Sequence, residues 1–172
     1  MKNSNYNNSN QIAVCALNAS LLAISAQIHI PVSPPITLQL AVVFFICGFF
    51  NFKTAFISVF IYLFCGFIGL PVFSGFTSGV TAITSTTGGF LVGFLFIPII
   101  FLLYKDNSLF KICLSYGLSI VVCYLFGILW LYFYLKSFSD SIISVVIFLP
   151  IDIIKAILAH LLINSIKNRI NK

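Results

Sequence analysis

The sequence contains no glutamate, and its only acidic residues are Asp106, Asp140 and Asp152. Charged residues make up 7% of the 172 positions, against about 25% in an ordinary soluble domain. So few charges cannot cover a surface that faces water. The shortage excludes a soluble globular protein, a disordered chain and a nucleic-acid binder that lives in water. HExxH, GxSxG and phosphate-loop patterns are also missing, which argues against a hydrolase or a nucleotide-binding protein. None of Cys15, Cys47, Cys65, Cys113 and Cys123 forms a C-x-x-C pair, and all lie in apolar runs. They read as free, buried, small hydrophobes, so neither disulfides nor a metal site are expected. What is present is 60% hydrophobic residues and a mean hydropathy of +1.14. That is the composition of an integral membrane protein.

The length suits one compact bundle, since each spanning helix takes roughly 20 apolar residues plus a connection. Six helices are expected, at about 11–28, 36–50, 53–70, 87–104, 109–135 and 142–166, filling a single membrane domain over residues 11–172. They leave no room for a soluble catalytic domain. Residues 1–10 are polar and Asn-rich and read as disordered. The first apolar stretch is not expected to be a cleaved signal: Lys2 is its only basic flank, and Ile24 stands where a small residue is needed. HIPVSPPIT holds three prolines and cannot be helical throughout. Residues 71–86 read as a long linker rich in Gly, Ser and Thr. With six spans, one side carries Lys2, Lys53, Lys105, Lys111, Lys167, Arg169 and Lys172, and the other only Lys136. Both termini are therefore expected to be cytoplasmic. Segments 29–35 and 71–86 then lie on the outer side with no Lys, Arg, Asp or Glu, either as lid and walls of an outward-facing pocket or as ordinary tight connections.

Asp152 and Lys155 carry the strongest chemical signal. They are three residues apart inside the last span and share one helix face. Charges at that depth mark a functional site or a self-satisfied pair that holds helices together. A start near Ser141 would put Asp152 roughly 15 Å below the outer surface. Gln39 adds an amide, Thr37 a hydroxyl, and Phe73, Phe76 and Phe90 aromatic walls. The set suits a small, mostly apolar molecule with one compact polar head. His29 reads as an interfacial residue, and His160 lies off the face of the charged pair. Gly88 and Gly89 open a helix, for close packing or for backbone N–H groups at a ligand. Cys15, Ala19 and Ala23 form a stripe of small side chains suited to close helix approach, within the bundle or to a partner.

Four blocks then resemble one family. IHIPVSPPITLQL, CGFIGLPVFSGFTSG, TTGGFLVGF and PIDIIKAILA follow, in order from residue 28 to 159, the motifs of BioY proteins, the biotin-specific S components of energy-coupling factor (ECF) transporters. The resemblance implies an all-α, six-helix transmembrane bundle of the bacterial cytoplasmic membrane that captures biotin and performs no covalent chemistry. It implies that Asp152 and Lys155 bind biotin, with Thr37, Gln39, Phe73, Ser74, Thr87, Gly88 and Gly89 in or beside the pocket. It does not say which group meets the biotin carboxylate. It implies further that Ala19 and Ala23 touch a transmembrane coupling subunit, and that two ATPase subunits drive transport. Whether the chain also works alone is left open. No cofactor and no nucleic acid are expected, and lipid surrounds the bundle. Three positions depart from the family pattern: Thr86 replaces a proline, Phe90 replaces a tyrosine, and Ser78-Gly79 replaces Gly-Gly. The competing readings are an S component for another vitamin, a membrane enzyme using Asp152 as a base, and an assembly subunit that binds no small molecule.

Overall fold

A computed structural model describes residues 8–106 and 108–170. Helix α1 (Asn8–Gln27) leads into a small hairpin, β1 (His29–Ile30) and β2 (Ile36–Thr37), with His29 opposite Thr37. Then come α2 (Gln39–Phe49), α3 (Phe52–Phe67), a 3-10 turn (Ser74–Phe76), α4 (Gly79–Ile83), α5 (Gly88–Phe94), α6 (Ile97–Ile100) and a second 3-10 turn (Phe101–Asp106). Helices α7 (Leu109–Leu135), α8 (Phe138–Val146) and α9 (Leu149–Ile170) complete the bundle. The expected disorder over residues 1–10 falls mostly outside the described residues, but Asn8 to Asn10 are helical.

Local chemistry accounts for the starts and breaks. Asn51 caps α3, its side chain accepting from the Thr54 amide at 2.8 Å. The second helix begins at Gln39 rather than at residue 36, because Ile36 and Thr37 pair with the hairpin strand after Pro34-Pro35. The expected continuous span 87–104 is broken after Phe94. Pro98 has no N–H to give to the carbonyl four residues back, and its ring crowds that carbonyl. Pro150 acts in the same way on Val146, so the last span is two pieces, α8 and α9. The 71–86 linker contains a 3-10 turn and α4, and so is partly helical.

The burial pattern is that of a protein in lipid. Asn18, Ser58, Ser115, Ser119, Asp152 and Lys155 are buried, while Leu17, Leu109, Phe110 and Phe133 are exposed. Ser9–Gln27, Leu109–Leu135 and Phe138–Ile170 are each long and apolar enough to cross a membrane. Gln39–Phe49, Phe52–Phe67 and Gly88–Leu103 are shorter apolar helical stretches. Without a hydrophobic drive between helices, polar contacts and close packing hold them together. Asn18 donates to the Ser58 hydroxyl at 3.2 Å, and the Cys15 thiol to the Thr54 carbonyl at 3.7 Å, joining α1 to α3. Lys167 donates to the Gly48 carbonyl at 3.1 Å, joining the far ends of α9 and α2. The rings of Phe44, Phe101 and Tyr116 meet at centroid distances of 5.1–5.9 Å and fill the core between α2 and α7. All five cysteines are free.

α5 lies close on α7 at two glycines. A Cβ on Gly89 would stand 2.3 Å from the Phe126 carbonyl oxygen, and one on Gly93 2.9 Å from the Cys123 Cα. Both obstacles are backbone, so neither can swing aside. Gly117 on α7 has nothing within 4 Å of that position. Gly89→Ala should therefore destabilise the detergent-solubilised protein by about 1–3 kcal/mol through overpacking. Gly117→Ala should be neutral or stabilising by up to about 1 kcal/mol from helix propensity. Thermal unfolding of the two variants side by side checks the contrast.

Candidate functional site

The site is built around the first turns of α9. Breaking the helix at Pro150 gives α9 its own N-terminus, and Asp152 sits in that first turn with its amide on the Phe148 carbonyl at 2.9 Å. The positive end of the helix dipole thus lies at a carboxylate. One helical turn on, the Lys155 ammonium donates to Asp152 Oδ1 at 2.6 Å. From α7, the Tyr124 hydroxyl donates to Asp152 Oδ2 at 2.8 Å. Asp152 is 5% exposed and Lys155 7%. A charge this deep is tolerable only when paired and hydrogen-bonded, and here each carboxylate oxygen has one donor. An ionised carboxylate offers about four lone-pair sites, so about two remain for a ligand.

These three side chains line one cavity of about 580 Å³, its open mouth included. Pro34, Pro35 and Ile36 of the hairpin form one wall. Phe90, Leu91 and Phe94 of α5 form another, and Phe148 and Cys123 close the set with Leu40. Thr37, Gln39 and Thr87 add neutral polar groups. Gln39 is oriented from both ends. Its Oε1 accepts from the Thr37 hydroxyl at 3.0 Å, and its Nε2 donates to the Tyr62 hydroxyl. Tyr62 in turn donates to the Val72 carbonyl at 3.4 Å, so the hairpin is linked through the cavity wall to the 71–78 loop. Gln27 fastens that same loop to the end of α1, donating to the Phe73 carbonyl and accepting from the Phe76 amide, each at 3.0 Å.

Of the residues expected at the site, Asp152, Lys155, Gln39, Thr37 and Thr87 meet in this cavity, as does Phe90. The others lie elsewhere. Phe73 is 2% exposed and packs edge-on against Tyr62, its ring filling the notch left by Gly66. It supports the wall from behind. Ser74 is half-buried in the 3-10 turn, its carbonyl accepting from Thr77 at 3.0 Å, and Phe76 is 69% exposed. Gly88 and Gly89 are buried where α5 meets α7, with Trp130 and Phe126 against them, which is the packing use of that pair. The 29–35 segment contributes Pro34 and Pro35 to the wall, whereas the 71–86 segment acts on the cavity through its partners, Val72 by way of Tyr62 and Gln39, and Ser85 and Ala82 by way of Thr87. Ala19 is buried and Ala23 half-buried on the side of α1 that faces the bundle, while Ala13, Ala16 and Ser20 face outward. His29 has its Nδ1 on the Gln27 carbonyl at 3.0 Å, and His160 pairs with Asn164 at 2.9 Å.

Tyr124 and Tyr62 are the site residues that sequence reasoning missed. A hydroxyl in the middle of an apolar span is a signal in itself. Yet α7 carries Tyr116, Tyr124, Tyr132 and Tyr134, and only the packing shows which one faces Asp152. Tyr124→Phe keeps the ring and removes one hydrogen bond to a buried carboxylate. It should cost about 1.5–3 kcal/mol of stability without ligand. The same change at the exposed Tyr134 should cost less than about 0.5 kcal/mol. Thermal or denaturant unfolding of the two variants measures the difference.

Comparison with known proteins follows the same lines. The model of the BioY family matches residues 1–172. Biotin transporter BioY2 of Lactococcus lactis subsp. cremoris (strain MG1363) is 31% identical, over 86% of this chain and 84% of its own. Biotin transporter BioY of Thermotoga maritima is also 31% identical, over 91% and 95%. Among solved structures, the S-component for biotin from an ECF-type ABC transporter superposes with a TM-score of 0.81 at 25% identity, covering 98% of this chain and 95% of that one.

Proposed function

Since the chain belongs to the BioY family, we propose that it is the capture subunit for biotin uptake, taking the vitamin from outside the membrane into the Asp152–Lys155–Tyr124 cavity. The observation that carries this reading is that triad. An acceptor flanked by two donors, buried and opening onto an apolar cavity, matches a neutral cyclic urea, whose N–H groups donate and whose carbonyl accepts. Asp152 takes a ureido N–H on its free lone pairs, and Lys155, whose ammonium keeps two hydrogens beyond the one on Asp152, donates to the ureido carbonyl. Phe90, Phe94 and Phe148 pack on the fused rings and the methylene chain.

The membrane arrangement in this reading has six crossings, the hairpin end facing outward and both termini inward. The basic residues of the inner side favour it. The α5–α6 stretch and the short α2 and α3 cross as parts of the packed bundle, where broken helices are tolerated. Capture alone moves nothing against a gradient. An ECF coupling subunit and two ATPase subunits supply the drive, and this chain makes and breaks no covalent bond.

Binding of labelled biotin to the detergent-purified chain tests the reading. Wild type should bind saturably, close to one to one. Asp152→Asn should lose about 100-fold or more in affinity. The double variant Asp152→Asn, Lys155→Met removes both charges together. It should stay folded and monodisperse, since a buried pair replaced by neutral groups is often neutral for stability, yet should not bind. Wild-type affinity in both folded variants would contradict the site. Displacement of the label by thiamin or riboflavin but not by biotin would contradict the substrate.

A further inference from the structure

The lining of the cavity carries two formal charges, and they already answer each other. Lys155 donates to Asp152 at 2.6 Å, and both are buried. Among the described residues, every other lining side chain is neutral: Thr37, Gln39, Thr87, Cys123 and Tyr124 are polar without charge, and the rest are apolar. The stretches 29–37 and 71–87, which supply Pro34 to Thr37 and Thr87 to the lining, contain no Lys or Arg. His29, on the hairpin, bonds the Gln27 carbonyl and is not part of the lining.

Biotin has two polar ends of different kinds, a neutral ureido head and an anionic carboxylate tail. The cavity offers a matched set of donors and acceptor to the first and no spare cation to the second. Drawing the carboxylate inside would add an unpaired negative charge to a buried site that already holds Asp152. Lys155 keeps two N–H donors beside its bond to Asp152, but its single charge is already balanced by Asp152, so a carboxylate brought to it would leave the buried site with a net negative charge. With the head on α9, the chain runs along the apolar wall of Pro34, Pro35 and Ile36 toward the open mouth, where the tail end stays in water.

We propose that this site reads its ligand without using the charge on the tail, so that amides of biotin are captured as well as the free acid. The class includes the primary amide and biotin joined through its carbonyl to the side-chain nitrogen of lysine. The inference rests on the reading that the cavity holds biotin, and extends it from one vitamin to its carboxyl-substituted derivatives. It also assigns the hairpin wall a function: an apolar channel that passes a chain and does not select its end group.

Competition against labelled biotin on the purified full-length chain tests this with three unlabelled probes: biotin, its primary amide and the lysine adduct. The primary amide has the size of the acid and lacks only the charge. It should compete within about 3-fold of the acid, and the lysine adduct within about 10-fold. A site that pairs the carboxylate with a cation would lose about 100-fold or more with the primary amide. That loss, with biotin itself bound tightly, would overturn the inference and leave the biotin reading standing. Competition by the primary amide but not by the adduct would overturn the open mouth and with it the lysine-linked ligands. Absence of labelled-biotin binding by a folded preparation would overturn both the reading and the inference.

Discussion

A carboxylate and an ammonium removed from water must find all their partners inside the protein, and this requirement organises the bundle. Lys155 satisfies one oxygen of Asp152 from the same helix, one turn away. The other oxygen needs a donor from elsewhere, which fixes α7 against α9 at Tyr124. Pro150 breaks the last span just ahead, so that Asp152 stands at a helix start with its favourable dipole. In lipid a buried pair adds little net stability. What the pair leaves free is a few lone pairs and donor hydrogens on the lining of the cavity.

A second constraint shapes the walls of that space. α5 must lie close enough to α7 for Phe90, Leu91 and Phe94 to face the triad, and only residues without side chains permit that approach at Gly89 and Gly93. On the opposite wall, Gln39 is held by Thr37 and Tyr62, and Tyr62 reaches the 71–78 loop. The hairpin and that loop are therefore tied to the same buried groups. With Gln27 fastening the loop to α1, the hairpin ends of α1 and α2 and the C-terminal half of α3 are bound together.

Much of this was legible in the sequence because it follows from energetics that act locally. Scarce charge implies lipid, and charges inside a span imply a site, which led directly to Asp152 and Lys155. The motif blocks pointed to Gln39, Thr37 and Thr87 on the lining. What stayed hidden depends on packing between distant segments. Phe73 has the composition of a wall residue, but Gly66 offers its ring a notch behind the wall. Ala19 is a small residue on a stripe, but nothing in the spacing says which way the stripe faces. Pro98 and Pro150 are visible as helix breakers, yet their consequence, shortened α5 and a fresh helix start at Asp152, appears only when the segments are placed together.

The central claim is that the Asp152 carboxylate meets the ligand directly. The chain has three aspartates and no glutamate, so its carboxylate bands are few enough to assign by infrared difference spectroscopy. The measurement is the difference spectrum of the protein, grown with carboxyl-labelled aspartate, before and after biotin is added. A shift in a single aspartate carboxylate band, lost in Asp152→Asn, is the result expected. Saturable biotin binding that leaves every aspartate band unmoved would place the ligand elsewhere and contradict the account.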